Sequence, residues 1–273
     1  MDSGKPRRSV PTGQARTGPA PHRSDARAAR RRCSDVGAVI VGGRAATGRP
    51  PRIEQVVAVT RARTLVPPLL LGLVVVALVL SGIRPYDRLT WLLETVWVIV
   101  GVPVVLLVWR RFPLTTLLCC LLAAHALVLI VGGHWTYARV PPGDWVRDAL
   151  DLSRNPYDRL GHFVQGFVPA ILVREILVRR SPLRGSRWLA PLVVCACLAF
   201  SAFFEMIEWW SSVAGGSAAD DFLGTQGDVW DTQWDMFLAL VGAVTSLALL
   251  SRWHDRQLPA ATPARPAPAV PVG

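Results

Sequence analysis

Leu69-Leu70-Leu71-Gly72-Leu73-Val74-Val75-Val76-Ala77-Leu78-Val79-Leu80 contains only Leu, Val, Ala and one Gly. Such a run leaves no polar face to turn toward water. A hydrocarbon core about 30 Å thick takes about 20 apolar residues at roughly 1.5 Å each. The run therefore predicts a membrane-spanning helix over roughly residues 65–83. Five further stretches qualify in the same way: roughly 90–109, 114–133, 160–178, 188–208 and 232–251. The expected fold is all-α, a polytopic membrane bundle of six transmembrane helices with disordered termini. Pro67 and Pro68 suit the first turn of the first helix, where amide donors are free. Pro103, Pro169 and Pro191 fall within later spans, where neighbouring helices can satisfy the freed carbonyls.

Charge divides the 273-residue chain. The formal net charge is +11, of which residues 1–63 supply +10 from fourteen Lys or Arg against four Asp or Glu. This tail is rich in Arg, Pro, Ala, Gly and Ser, and cannot bury enough apolar area to fold. We read 1–63 as a disordered cytoplasmic tail, 64–257 as the transmembrane domain, and 258–273 as a second disordered tail. Arg30-Arg31-Arg32 could touch anionic lipid or nucleic acid, but a solvated topogenic tail accounts for it, and nucleic acid is not an expected partner. A signal peptide is not expected, because the first apolar run starts near Leu65. The five cysteines show no Cys-x-x-Cys spacing and read as small packing residues.

Loop charge sets the expected orientation. Arg110 and Arg111 join spans two and three; Arg179, Arg180, Arg184 and Arg187 join spans four and five; Arg252 and Arg256 follow span six. The alternate loops hold no such excess, and residues 209–231 contain Asp220, Asp221, Asp228 and Asp231 with no Lys or Arg. The positive-inside bias places both termini in the cytoplasm of a bacterial inner membrane. Trp109, Trp188 and Trp253 then mark the inner boundary. Trp91, Trp135, Trp209, Trp210, Trp230 and Trp234 mark the outer one.

Within that frame the ionisable residues of the spans gather at one depth. Glu94 lies about one turn into span two, and His125 and His134 lie in or at the end of span three. Asp158, His162 and Gln165 share a face of span four at i, i+4 and i+7. Glu205 and Glu208 close span five, and Asp231 and Asp235 open span six. All fall in the outer half, whereas Arg174 and Glu175 stand near the inner boundary. A charge in a helix centre costs about 2.5–3.5 kcal/mol on the insertion scale, so grouped charges need partners or water. The expectation is one shared polar cavity open to the outer side. Asp at a first helical turn also suits the helix dipole, and a lone His125 suits a packed core. Glu205 and Glu208, one turn apart, would repel unless a cation, a proton or an Arg lies between them. The Gly- and Asp-rich residues 215–228 read as a solvated loop or as oxygen donors for a hard cation.

Four stretches carry a family resemblance. They are Gly132-Gly133-His134-Trp135-Thr136-Tyr137-Ala138, Arg154-Asn155-Pro156-Tyr157-Asp158-Arg159-Leu160-Gly161-His162-Phe163 with Gln165-Gly166-Phe167-Val168-Pro169-Ala170, Phe204-Glu205-Met206-Ile207-Glu208-Trp209-Trp210, and Leu223-Gly224-Thr225-Gln226-Gly227-Asp228-Val229-Trp230-Asp231-Thr232-Gln233-Trp234-Asp235-Met236. Over roughly residues 65–255 the chain resembles the YjdF inner-membrane family, which implies a topology but no reaction. It is also similar in skeleton to VanZ-like membrane proteins, whose pattern is Asp-Lys-x-x-His, a later Glu, and an Asp followed by Gly seven residues on. Asp158-Arg159-x-x-His162, Glu205 or Glu208, and Asp235 with Gly242 stand in that order. Arg159 replaces the Lys, and Ala239 replaces an Asn usual between the last Asp and Gly. That skeleton implies that Asp158, His162, Glu205 and Asp235 form one site.

The expected function is an embedded site at the outer-leaflet side that acts on or binds a lipid-linked or envelope molecule, with membrane lipids as partners. Asp158, His162, Glu205, Glu208 and Asp235 are the candidate catalytic residues. His134, His162, Glu205 and Asp231 are the candidate ligands of a divalent metal, and this His-containing set fits Zn, Mn or Fe better than Mg. A proton-coupled transporter and a non-catalytic membrane scaffold are the alternatives.

Overall fold

The fold was analysed in a computed structural model that describes residues 53–215 and 225–259, with side chains over 65–214 and 225–259. Most of the basic tail, the Gly/Asp stretch with Asp220 and Asp221, and the C-terminal tail from 260 lie outside the described residues. Among the described residues there are seven α-helices and no strand. They are α1 (Ile53–Ser81), α2 (Arg88–Val108), α3 (Thr116–Trp135), α4 (Pro141–Ala149), α5 (Tyr157–Arg180), α6 (Leu189–Gly215) and α7 (Asp231–Asp255). A 3₁₀ turn, Tyr137–Arg139, joins α3 to α4. α2, α3, α5, α6 and α7 are each long and apolar enough to cross a membrane. The sixth expected span is the shorter apolar segment Leu65–Ser81 at the end of α1. The chain is a polytopic helical membrane protein.

Two details differ from the sequence reading. α1 begins at Ile53, so Pro67 and Pro68 lie inside a helix instead of opening one. A proline inside a helix loses its own amide bond, but its fixed φ suits helical backbone, and helix-compatible residues precede the pair. Pro191 is the third residue of α6, where its missing donor costs nothing. The loop expected between spans three and four instead holds the 3₁₀ turn and α4, whose Trp145 and Val146 are exposed.

Capping explains two helix starts. Asp87 Oδ1 accepts the Thr90 amide at 2.7 Å to open α2, and Thr115 Oγ1 accepts the Leu118 amide to open α3. At the far end of α5, Ser181 closes the helix after Arg179 and Arg180.

α5 is the centre of the bundle and packs on α3, α6 and α7, most extensively on α7. That closeness has a residue-level cause. A Cβ at Gly166 would fall on the Ala239 carbonyl, and one at Gly242 on the Phe163 carbonyl. Small residues thus let the two backbones touch, as membrane helices do where no hydrophobic force drives association. Ala170, Ala239 and Ala243 beside them are fully buried. Ala239 stands where the VanZ-like pattern has Asn, and here the position faces the α5 backbone. A separate cluster of Val74, Val98, Ala123 and Ile130 joins α1, α2 and α3.

Candidate functional site

α5 carries two polar groups about 25 Å apart, near Asp158 and near Glu175. Between Gln165 and Arg174 its buried positions are apolar: Val168, Ala170 and Ile171 are at most 2 % exposed. The first group is where the sequence concentrates its candidate residues.

Arg154 organises it. The residue precedes α5, is buried, and donates to Asp231 and to Asp158 Oδ2, the latter at 3.1 Å. Asp228 Oδ2 lies 3.6 Å from Arg154 Nη1 and 2.8 Å from Arg159 Nη2. Burial opposes the Arg154 charge, but Asp231 and Asp158 outweigh it and raise the guanidinium above its ordinary value. Asp158 and Asp231 are therefore ion-paired acids, and the helix dipole alone does not account for them.

Asn155, fully buried, fixes the approach to α5. Its side-chain amide donates to the Val140 carbonyl and to Asp144, and its backbone exchanges two hydrogen bonds with the Gln226 side chain. Gly143 packs so tightly on Asn155 that a Cβ there would overlap its side chain. The chain just before α7 is thereby clasped to the chain just before α5.

His162 sits one turn beyond Asp158. Its Nδ1 donates to Gln165 Oε1 at 2.9 Å, which leaves Nε2 toward Asp158 Oδ1 at 3.5 Å and Asp235 Oδ2 at 3.9 Å. Glu205 Oε1 lies 3.7 Å from Nδ1. One ligand atom from each of Asp158, His162 and Asp235 falls within 4.8 Å of the others. Asp235 Oδ1 and Glu205 Oε1 are buried with no hydrogen-bond partner. All of these side chains are buried. Gln165 is thus the outer partner that orients the histidine, a role metal-binding and catalytic imidazoles usually need.

A cavity of about 30 Å³ adjoins His162, lined by Glu94, His125, Tyr137, Asp158, Glu208 and the aromatic rings of Trp97, Phe200 and Phe204, among others. That volume admits water or one ion. Tyr137 closes one wall: its ring lies where a Cβ at Gly132 or Gly161 would clash, and Glu94 lines the same cavity. Burial, with Glu94 beside it, raises the Tyr137 phenol well above its ordinary value. Thr136, at φ +61°, turns the chain so that Tyr137 folds back beneath α3. Glycine at 132 and 161 is therefore a packing requirement for this wall.

Of the sequence candidates, the structure brings Asp158, His162, Glu205 and Asp235 together and places Glu208 on the same cavity. Asp231 is held by Arg154 instead of facing His162. His134 does not join the group: its Nδ1 lies 2.8 Å from the Ser81 carbonyl, and its ring packs edge-on to Trp135. It ties α3 to α1, and its position at a helix end could not reveal that partner. Arg154, Gln165, Tyr137 and Asn155 were not among the candidates, although all but Tyr137 lie in the same motif as Asp158. The motif's length was the available signal.

The second group lies at the other end of α5. Glu175 and His254 are fully buried, with His254 Nε2 3.0 Å from Glu175 Oε2 and Arg174 Nη1 3.0 Å from His254 Nδ1. Glu175 also accepts from Arg179 and from the Thr115 hydroxyl, each at 2.7 Å, and Arg174 pairs with Asp255 at 2.7 Å. The sequence placed Glu175 near this boundary but did not pair it with His254. Each charge here meets an opposite one, so the group reads as a lock between α3, α5 and α7.

Comparison with known proteins agrees with the sequence resemblance. Residues 66–256 match the family model described as Predicted membrane protein (DUF2238). The chain is 56% identical over 181 residues to the inner membrane protein YjdF of Escherichia coli (strain K12), covering 66% of this chain and 87% of the relative. No solved structure matches. The chain belongs to this DUF2238 family, and it is a multi-pass inner-membrane protein.

Proposed function

We propose that the His162 centre holds a divalent cation and acts on, or binds, a lipid-linked or envelope molecule at the outer leaflet. The observation that carries the reading is the facing of His162 Nε2 to two carboxylates. With the Nδ1 proton on Gln165, Nε2 offers a lone pair toward Asp158 and Asp235 oxygens at 3.5 and 3.9 Å. Three electron-rich atoms so arranged need a proton or a cation among them. The wider balance argues the same way. Among the described residues, the acid-rich group of Glu94, Asp158, Glu205, Glu208, Asp228, Asp231 and Asp235 has ion pairs to Arg154 and Arg159 and close contacts to His162.

In this reading Asp158, His162 and Asp235 hold the cation, whose nitrogen-containing ligand set suits Zn, Mn or Fe. The cation would polarise a phosphoryl or carbonyl oxygen of the bound molecule. Glu205 beside His162 and Glu208 on the adjoining cavity, both buried, would accept and return protons. Arg154 holds Asp158 in place. The cavity takes an ion and water but no lipid, so a substrate would present its reacting group from the open end. In this reading both termini lie in the cytoplasm and this end at the outer leaflet, which the loop charges support. The apolar Val168–Ile171 layer favours a centre reached from one side over a proton path through the bundle.

The test is elemental mass spectrometry on protein purified without chelators, for wild type, His162→Ala and Asp235→Asn. Near-stoichiometric transition metal, lost in both variants while the helical circular-dichroism signal stays, is the expected result. Metal-free wild-type protein that binds none on titration sinks the cation reading.

A further inference from the structure

A cleft of about 450 Å³ opens at the Glu175 end, between α5, α7, the α5–α6 loop and the start of α6. Its polar lining is Arg174, Arg184, Ser186, Ser251 and Asp255, and its apolar wall includes Leu189 and Leu247. Arg174 reaches it nearly buried and is already paired with Asp255 at 2.7 Å. Arg184 is exposed, and among the described residues it donates to the Pro259 carbonyl, a neutral group, and pairs with no carboxylate. The lining therefore carries one uncompensated positive charge, and the exposed Arg187 adds another beside it. Exposed Trp188 and Trp253, at the ends of α6 and α7, mark headgroup depth. The volume suits a headgroup-sized organic anion more than a lone ion.

We propose that this cleft binds a phosphate group of net negative charge, carried by an anionic phospholipid or by a soluble phosphate ester. Arg184 would contact the phosphate, Arg174 would contribute from the buried side, and Leu189 and Leu247 would take the start of an acyl chain. Basic pockets between spans at headgroup depth are suited to such ligands. The site is separate from the His162 centre and does not depend on the reading of that centre.

Full-length protein in non-ionic detergent, stripped of lipid, is titrated with phosphatidylglycerol, phosphatidylcholine and glycerol 3-phosphate, with binding read by native mass spectrometry. Arg184→Ala removes the cation, Ala190→Phe fills the cleft without changing charge, and Arg110→Ala removes an exposed arginine elsewhere. Saturable binding of phosphatidylglycerol alone, weakened roughly tenfold by the first two variants and not by the third, supports the proposal with lipid as the source. The same pattern with glycerol 3-phosphate supports it with a soluble ester as the source. Equal affinity for phosphatidylcholine, no saturable binding of any probe, or equal loss in Arg110→Ala overturns it.

Discussion

The Arg154 guanidinium, just before α5, grips Asp231 in the first turn of α7, 77 residues further along the chain. The same group holds Asp158 on α5. One arginine therefore sets the relative position of the two helices that supply His162 and Asp235. Removing one partner of a buried ion pair strands a charge, which costs about 3–5 kcal/mol.

Arg154→Ala is accordingly expected to lower the melting temperature in detergent by many degrees. Asp231→Ala in the same background should restore part of the loss, because it removes one stranded carboxylate. A double-mutant cycle on thermal unfolding measures this. Additive losses would mean that the pair contributes no coupling.

The α5–α7 contact makes a steric prediction. Gly166→Ala and Gly242→Ala each put a methyl onto backbone of the facing helix, where no flexible side chain can yield. Overpacking of this kind costs about 1–3 kcal/mol or more. Gly72→Ala, which would meet nothing within 4 Å, should leave stability unchanged or slightly raised. Thermal unfolding of the three variants, side by side, checks the contrast.

The two polar groups of α5 should be separable. Glu175→Gln breaks charge-assisted bonds to His254 and Arg179 and should lower stability by about 2–4 kcal/mol. At about 20 Å from His162 along the helix, it should leave any cation content of the folded protein unchanged. Metal analysis and unfolding on the same sample test this. A fall in metal per folded molecule would tie the two groups together.

Orientation is testable by cysteine labelling in a background with the native cysteines replaced by Ala. Asp148→Cys, whose parent side chain is 68 % exposed in α4, should react in intact spheroplasts with a membrane-impermeant maleimide. Arg110→Cys should react only after lysis. The reverse pattern would put the His162 centre at the inner leaflet.

Much of the bundle was legible because its cause is local. A helix in lipid must satisfy its own backbone, so an apolar run such as Leu69–Leu80 declares itself without reference to the rest of the chain. Asp158 and His162 share a face by helical period alone, and their grouping with Glu205 and Asp235 followed from depth. Depth, however, is a single coordinate. It placed His134 and Asp231 among the ligands, although His134 turns to Ser81 and Asp231 to Arg154. It also left α4 unseen, since nine residues interrupted by charge look like any loop.

Hydropathy and helical rise are properties of single segments, and they suffice to show that this chain crosses a membrane several times. Which acids, arginines and histidines meet is a matter of packing. Arg154 and Asp231 are 77 residues apart, and Glu175 and His254 are 79 apart, and no spacing rule links them. Their pairing depends on how closely α5 and α7 approach, and that is set by Gly166, Ala239 and Gly242 through the absence of side-chain atoms at the crossing.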